Sequence, residues 1–436
     1  MSPFDIGLLA LGGMLVLVIG GMYVPIALML VSFLGVWAIK GSPELAAKML
    51  GLAANDAIAS YFFGVVPLFV LMGFIVSESG LGRDAFDVAN AMFRRIRGGL
   101  GVGTVAANAI FAAITGISIA SAAVFTKIAV PEMRRHGYTA RFSVGVVAGS
   151  SVLGMLIPPS LLLILFGLLA EQSIGDLFIA GIGPGIILAL CFAIGTVAMA
   201  MFAPGFVGKS LSADAETFSR SQLLSKGLPI VALITLVLGG IYVGYFTPVE
   251  AGAIGAIAAL IIGVAKRRLS IKAFGRVLVD TGLVTASVCF LIIAVQMYSR
   301  MLAFSGLPHA FGDLAANANL GLYGLMMLYV CVVILLGMIL DSSSIMLILV
   351  PLMLPIIVPM GIDLVWFGIV TVIAVEVGLL TPPFGISVYV IKSTLDDTAI
   401  SLSDIFLGAA PFALMMLFCL ALIIFFPVIA TGLLAR

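Results

Sequence analysis

Charge is what this chain has least of. Only 9% of its 436 residues are Asp, Glu, Lys or Arg, against 63% hydrophobic, where a water-soluble domain carries about a quarter charged and half apolar. A soluble fold could not cover that much apolar surface. The net charge of +1, with no basic stripe interleaved with aromatics, excludes a nucleic-acid partner. Histidine is nearly missing: His136 and His309 are the only two, each in or near a loop. No HExxH, GxSxG or P-loop pattern occurs, so an intramembrane enzyme lacks a catalytic set, ATP is not the power source, and no organic cofactor is expected. The four cysteines, Cys191, Cys289, Cys331 and Cys419, stand singly inside apolar segments, which excludes a redox pair or a zinc cluster. A basic n-region and a cleavage site are also lacking after Met1, so the first apolar stretch reads as a span rather than a signal peptide.

What is there is apolar length. Mean hydropathy is +1.31, and apolar runs of about 20 residues recur, so lipid is the solvent for most of the protein. In lipid the backbone must satisfy itself, which leaves helices or a closed barrel. Runs such as 227–246 and 251–265 are apolar on all sides rather than alternating, so the expectation is an all-α polytopic membrane protein. Spans are expected at 6–21, 23–39, 62–76, 142–169, 176–202, 227–246, 251–265, 281–303, 365–391 and 405–430, with an interfacial amphipathic helix in 41–61.

Two apolar stretches fit no single span. Residues 99–133 are bracketed by Arg94, Arg95 and Arg97 before and by Arg134, Arg135 and Arg141 after, so both ends belong in the cytoplasm and the stretch goes in and comes back. Two half-length helices of about 20 Å suit it, with the tip at Thr115-Gly116-Ile117-Ser118. Residues 320–360 have no Lys or Arg within or just beyond them and carry Asp341-Ser342-Ser343-Ser344 at the centre, so that hairpin opens outward. The clusters Lys209, Arg220, Lys226 and Lys266, Arg267, Arg268, Lys272, Arg276 then fall in the cytoplasm, whereas Lys40 and Lys48 fall outside.

After each hairpin comes a long apolar segment interrupted in nearly the same way: Gly154-Met155-Leu156-Ile157-Pro158-Pro159 and Gly378-Leu379-Leu380-Thr381-Pro382-Pro383. Upstream, Ser79-Gly80-Leu81 and Ser305-Gly306-Leu307 also correspond. The order span, Ser-Gly-Leu, hairpin, broken helix occurs twice. With hairpins opening to opposite sides, the copies are inverted repeats with two re-entrant helical hairpins and two discontinuous helices, the pattern of secondary transporters with a midplane site.

Proline removes a backbone donor, so each interruption leaves carbonyls without helical partners, and a hard cation such as Na+ satisfies them together with hydroxyls. The candidate ion ligands are Thr115, Gly116, Ser121, Ser150, Ser151 and Gly154 near the first break, and Asp341, Ser342, Ser343, Gly378 and Thr381 near the second. The tip residue Ser118 belongs to the first cluster as well. Half-helix N-termini beginning near Ser121, Pro159, Ser344 and Pro383 present free N–H groups to an anion. Asn108, Ser118, Pro159, Ser160, Ser344 and Pro383 are the candidate substrate-facing residues. Glu376 and Lys127 are further intramembrane charges: Glu376 fits a proton site, a sodium ligand or a structural acceptor, and Lys127 can snorkel to the cytoplasmic face.

The stretch Ala129-Val130-Pro131-Glu132-Met133-Arg134-Arg135-His136-Gly137-Tyr138 resembles the "IPEM-basic-GY" element of the large membrane subunits of TRAP (tripartite ATP-independent periplasmic) transporters. Ile157-Pro158-Pro159-Ser160, Thr381-Pro382-Pro383-Phe384-Gly385 and the pair Pro351, Pro355 resemble that family too, and the likeness covers essentially the whole chain. It implies an elevator-type transporter in the bacterial inner membrane, coupled to sodium, with a small four-helix membrane subunit (Q-type) and a periplasmic substrate-binding protein (P-type) that delivers a small organic anion such as a C4-dicarboxylate, keto acid or sialic acid. Where that family has a Gly-Ser rich, Ala-Asp containing inner tip, this chain has Thr115-Gly116-Ile117-Ser118-Ile119-Ala120-Ser121. A proton-coupled or binding-protein-independent carboxylate carrier of related fold, with Glu376 or Asp341 shuttling the proton, is the other class open to these residues. The expected division is 1–98 as N-terminal scaffold with the interfacial helix, 99–171 as the first transport repeat, 172–303 as scaffold, 304–394 as the second transport repeat and 395–436 as a C-terminal helix.

Overall fold

The computed structural model describes residues 1–59, 61–208, 218–317, 321–395, 397 and 399–434. Lys209 and Leu320, which the sequence analysis used, lie outside them. Every regular element among the described residues is helical. In chain order these are α1 (Pro3–Ile19), α2 (Val24–Lys40), α3 (Pro43–Ala59), α4 (Val65–Glu78), α5 (Leu81–Phe93), α6 (Gly99–Thr115), α7 (Ser118–Arg135), α8 (Ala140–Ser151), α9 (Leu153–Leu156), α10 (Leu161–Ala170), α11 (Ile174–Phe202), α12 (Pro204–Val207), α13 (Arg220–Ile234), α14 (Gly240–Tyr242), α15 (Pro248–Ala265), α16 (Ile271–Ser305), α17 (Leu307–Asn317), α18 (Gly321–Gly337), α19 (Ser342–Ile357), α20 (Leu364–Leu380), α21 (Ile386–Thr394), α22 (Leu402–Phe425) and α23 (Val428–Thr431). Among the described residues six segments are long and apolar enough to cross a membrane, or seven with the pair α4 and α5, which is bent by 66°. The chain is a multi-pass helical membrane protein.

All ten expected spans and both hairpins are helical, but two helices longer than a single turn were not expected. Beyond Ser79-Gly80 the chain turns into α5, and beyond Ser305-Gly306 into α17. Both carry charged residues on an otherwise apolar background, so they fall below a span's hydropathy while keeping a helical period. The descending hairpin arms also begin earlier than expected, at Ser118 and Ser342 rather than near Ser121 and Ser344.

The repeat extends over almost the whole chain. Helices α1 and α2 have counterparts in α13 and α15 about 224 residues later, α3 and α4 together correspond to the single long α16, and α5, α6, α7, α8, α10 and α11 correspond to α17, α18, α19, α20, α21 and α22. Capping boxes start both α1 (Ser2 with Asp5) and α13 (Ser219 with Gln222), closing free amides at the helix entry. Packing follows the same exchange: α2 lies on α16 and α15 on α4, while α10 lies on α19 and α21 on α7. The repeats are therefore intertwined.

Helices α1 to α4, α15 and α16 pack mainly among themselves, α13 lies chiefly on α5, and both hairpins, both broken helices, α11 and α22 form a second group. By packing, α11 and α22 lie with the hairpins and broken helices. Those helices are continuous spans without polar breaks, so their neighbours are decided by tertiary packing alone.

Ion pairs tie distant loops together in two sets. Asp84 on α5 takes Lys266 at 2.6 Å and Arg268 at 2.9 Å, Asp87 takes Lys226 at 2.5 Å, and Glu78 takes Arg276 at 2.7 Å. Asp56 pairs with Arg300 at 2.5 Å, and the Lys40 ammonium sits 4.3 Å from the Phe304 ring centre. Lys226, Lys266, Arg268 and Arg276, which charge bias placed on one side, thus meet acids at the adjoining ends of α4 and α5, and the two sets do not mix.

Candidate functional site

The first hairpin turns where α6 ends at Thr115. Gly116 adopts φ +65, Ile117 is extended, and α7 starts at Ser118. Gly116 is required on two counts: its left-handed backbone disfavours a side chain, and a Cβ there would stand 2.1 Å from the Pro159 carbonyl oxygen. The tip lies directly on the interruption of the first broken helix. Pro158 and Pro159 carry no amide, so the carbonyls of Gly154 and Met155 lose their helical donors. Ser160 repairs half of this, donating its hydroxyl to the Met155 carbonyl and accepting from the Leu163 amide at 3.3 Å. The Leu161 amide, at the start of α10, donates to the Gly116 carbonyl at 3.1 Å.

Beneath the tip a buried polar chain crosses three helices. The Ser121 hydroxyl donates to Asn108 Oδ1 at 2.6 Å, Asn108 Nδ2 donates to Ser150 Oγ at 2.6 Å, and Ser150 donates to the Val146 carbonyl. Ser151 donates to the Ala148 carbonyl and Thr115 to that of Phe111. A hydroxyl that gives its proton to a carbonyl keeps oxygen lone pairs, so these side chains fit a cation's shell. Thr115, Ser121, Ser150 and Ser151 are buried, and Gly154 packs on the backbone of Ile117 and Ser118. All the first-break candidates come together.

The second unit repeats the construction. The turn after α18 runs through 338–340, and Asp341 caps α19, accepting from the amides of Ser343 and Ser344 at 3.1 Å each and from the Ser344 hydroxyl. In the break, Thr381 donates its hydroxyl to the Val377 carbonyl at 2.7 Å and its amide to Gly378 at 3.0 Å. The Phe384 amide donates to the Met338 carbonyl at 3.2 Å, the counterpart of the Leu161–Gly116 bond. Gly378 faces Gly337 so closely that a Cβ on Gly378 would stand 2.6 Å from the Gly337 Cα. Both proline pairs are joined by cis peptide bonds. The two breaks differ in access: Pro159 is buried, whereas Pro382 and Pro383 are exposed and Phe384 is 51% exposed.

Among the described residues no group of three or more His, Cys, Asp or Glu side chains is placed to hold a metal. A Na+ site here would be built of hydroxyls, released carbonyls and Asp341, a donor set that fits a hard monovalent cation. The sequence had pointed to Glu376 without a partner; in the structure its carboxylate lies beside the Ser118 hydroxyl.

Residues 11–429 match the family described as "Tripartite ATP-independent periplasmic transporter, DctM component". The chain belongs to the DctM family. It is a transport protein and not an enzyme. The C4-dicarboxylate TRAP transporter large permease protein DctM of Pseudomonas aeruginosa is 31% identical over 395 residues, covering 90% of each chain. The sialic acid TRAP transporter large permease protein SiaM of Vibrio cholerae is 30% identical over 420 residues, 95% of each. The ectoine TRAP transporter large permease protein TeaC of Halomonas elongata is 32% identical over 369 residues, 84% of each. Among solved structures, the YdaH transporter of Alcanivorax borkumensis superposes with a TM-score of 0.61 at 16% identity, covering 87% of this chain and 88% of that one. MtrF of Neisseria gonorrhoeae superposes with a TM-score of 0.62 at 13% identity, covering 87% and 84%. These likenesses extend the DctM assignment to a shared transporter fold.

Proposed function

We propose that this chain is the large permease subunit of a sodium-coupled TRAP importer, which takes a small organic anion from a periplasmic binding protein and works with a small membrane subunit in the bacterial inner membrane. The observation that carries the reading is the matched closure of each hairpin tip on a proline-broken helix, Leu161 amide to Gly116 carbonyl and Phe384 amide to Met338 carbonyl. Each closure gathers released carbonyls and hydroxyls, suited to a cation, against the N-terminus of a restarted helix, suited to an anion. Thr115, Gly116, Ser121, Ser150, Ser151 and Gly154 form the first ion site in this reading, and Asp341, Ser342, Ser343, Gly378 and Thr381 the second. The anion lies against the starts of α10 and α21, with the exposed Pro383 on its access route.

Each repeat makes five crossings, counting α1, α2, α4, the broken helix and α11 in the first. An odd number inverts the second copy, which supports hairpins opening to opposite sides. Alternating access then requires the hairpin group to move as a body against α1 to α4, α13, α15 and α16. The outward faces of α2 (Ile26, Leu30, Leu34) and α13 (Leu224, Leu228, Val231) are exposed and apolar, as a docking surface for the small subunit and lipid would be. The relatives' substrates, a C4-dicarboxylate, sialic acid and ectoine, bound the size of the cargo rather than name it.

The test is uptake into proteoliposomes holding this chain and its small subunit, with the binding protein outside and labelled C4-dicarboxylate, 2-keto acid or sialic acid as probes. Uptake of one of them is expected only with an inward sodium gradient and the binding protein present. Uptake driven by a proton gradient without sodium, or undiminished without the binding protein, would overturn the reading.

A further inference from the structure

One intramembrane charge that the sequence singled out has no part in the two breaks. Lys127 stands on α7, the descending arm of the first hairpin, and is exposed. None of the ion pairs among the described residues involves it. It lines a cavity of about 350 Å³ with Thr126, Pro131, Arg134, Thr394 and Asp397, at the lower end of the size that holds a small-molecule ligand. The cavity lies between the C-terminal parts of α7 and α21, which pack on each other.

The last turn of a helix favours cations, which accounts for Arg134 and Arg135 at the end of α7. Lys127 lies about two turns earlier, where that field has faded, and a charge at such a place marks a partner or an aqueous path. The neighbouring acids do not neutralise it. Glu132 is taken by Arg135 at 3.5 Å, and Asp397 accepts the Ala399 amide at 2.9 Å without an ion pair. Lys392 adds a further cation at the wall: its ammonium donates to the carbonyl of Ile400, another lining residue, at 2.6 Å. Among the described residues Lys127, Arg134 and Lys392 thus stand against Asp397, and the cavity is positive on balance. Thr126 and Thr394 give their protons to the Ala122 and Val390 carbonyls, so the donors free for a ligand are the Lys127 ammonium and the Arg134 guanidinium. Both suit a carboxylate.

Where the cavity lies says which carboxylate. Helix α7 begins at the first tip and α21 at the second break. From Ser118 to Lys127 the one rises about 13 Å, and from Ile386 to Thr394 the other rises about 12 Å. The cavity is therefore at the far ends of two helices that leave the midplane side by side. One face of α7 is exposed along the way, through Ile119, Lys127, Pro131 and Arg134, as are Phe384 and Tyr389 beside it in the chain of α21. Charge bias puts this end in the cytoplasm. We propose that Lys127 and Arg134 hold the carboxylate of the transported anion in this cavity, a release site on the cytoplasmic side that is separate from the midplane site. Asp397, a carboxylate of the chain in the same cavity, weakens the hold on the ligand, as release requires. The inference rests on the importer reading above, and the two can fail separately.

The test uses the full chain without its native cysteines and with Thr394→Cys, in nanodiscs of zwitterionic lipid. Initial labelling rates are read with an anionic and a cationic methanethiosulfonate of similar size. The anionic reagent should react faster. Lys127→Met should shift the ratio of the two rates about fivefold toward the cationic reagent, Asp397→Asn should shift it the other way, and Lys127→Arg should leave it in place. Succinate, 2-oxoglutarate or sialic acid in excess should slow labelling, and should fail to do so in Lys127→Met. In proteoliposomes Lys127→Met should lower the maximal rate of uptake with the half-saturating sodium concentration unchanged. A rate ratio that Lys127→Met and Asp397→Asn leave unaltered, or labelling that none of the three anions slows, overturns the release site even where sodium-driven uptake stands. Protection that appears only with anionic phospholipid in the nanodisc assigns the two cations to a lipid head group and overturns it likewise. An absence of sodium-driven uptake in the wild type overturns the importer reading, and the labelling rates then still decide whether the cavity holds a carboxylate.

Discussion

Asn108 engages both ends of its amide within the protein. It receives the Ser121 hydroxyl and donates to Ser150, so it pins both arms of the first hairpin to the broken helix. Removing it strands a buried hydroxyl proton at Ser121 and an unused lone pair at Ser150. Asn108→Ala should therefore cost about 1–3 kcal/mol of stability, read as a lowered unfolding midpoint in nanodiscs. Asn108→Asp should cost more, because Ser150 has already given its proton to Val146 and would meet an unpaired buried charge. The sequence marked Asn108 as an intramembrane polar residue and offered substrate contact as its use. Its partners are 13 and 42 residues away, and which of them it meets depends on how three helices pack, which no local pattern encodes. Ser160 is similar: a polar residue after two prolines is visible in sequence, but its role as the cap that restores the Met155 carbonyl appears only with the turn.

At the scale of elements, the hairpins and breaks were legible because their signals are local. Glycine with short hydroxyl residues between two apolar runs marks a tip, and a proline pair stops a helix wherever it stands. Helices α5 and α17 were not legible as helices, since the Ser-Gly-Leu marker signals only the turn that precedes them. Nor was the full extent of the repeat, because two elements of the first half, α3 and α4, are fused in the second into α16. The closure of tip on break can be tested against backbone strain alone. Gly116 (φ +65) and Gly361 (φ +67) have the same left-handed backbone, but a Cβ at Gly361 meets nothing within 4 Å whereas one at Gly116 collides with Pro159. Alanine at either position strains the backbone by about 1 kcal/mol. Gly116→Ala should in addition lift the tip from the break and lower uptake by tenfold or more, while Gly361→Ala should transport normally. Equal uptake by the two variants would separate transport from tip closure.

At the scale of the whole molecule, charge bias in the sequence grouped the loops that carry Lys226, Lys266 and Arg268, and Asp84 and Asp87 gather those three residues from segments far along the chain. What charge bias could not reveal is which spans pack with the hairpins, because α11 and α22 are uniformly apolar and carry no mark of their neighbours. Their packing makes the proposal specific: the two hairpins, both broken helices, α11 and α22 should move as one body relative to α1 to α4, α13, α15 and α16. Two aromatic pairs lie on either side of that distinction. Phe192 on α11 meets Phe412 on α22 with ring centres 5.4 Å apart, inside the body, and Phe69 on α4 meets Phe178 on α11 at 5.9 Å, across its boundary. The most direct measurement is sodium-driven uptake by two double-cysteine variants made without the four native cysteines, each bridged by a short thiol crosslinker and checked for intact fold. Bridging Phe192→Cys to Phe412→Cys should leave uptake in place, and bridging Phe69→Cys to Phe178→Cys should stop it until the bridge is cleaved. Full uptake through a complete bridge between positions 69 and 178 would contradict the moving body.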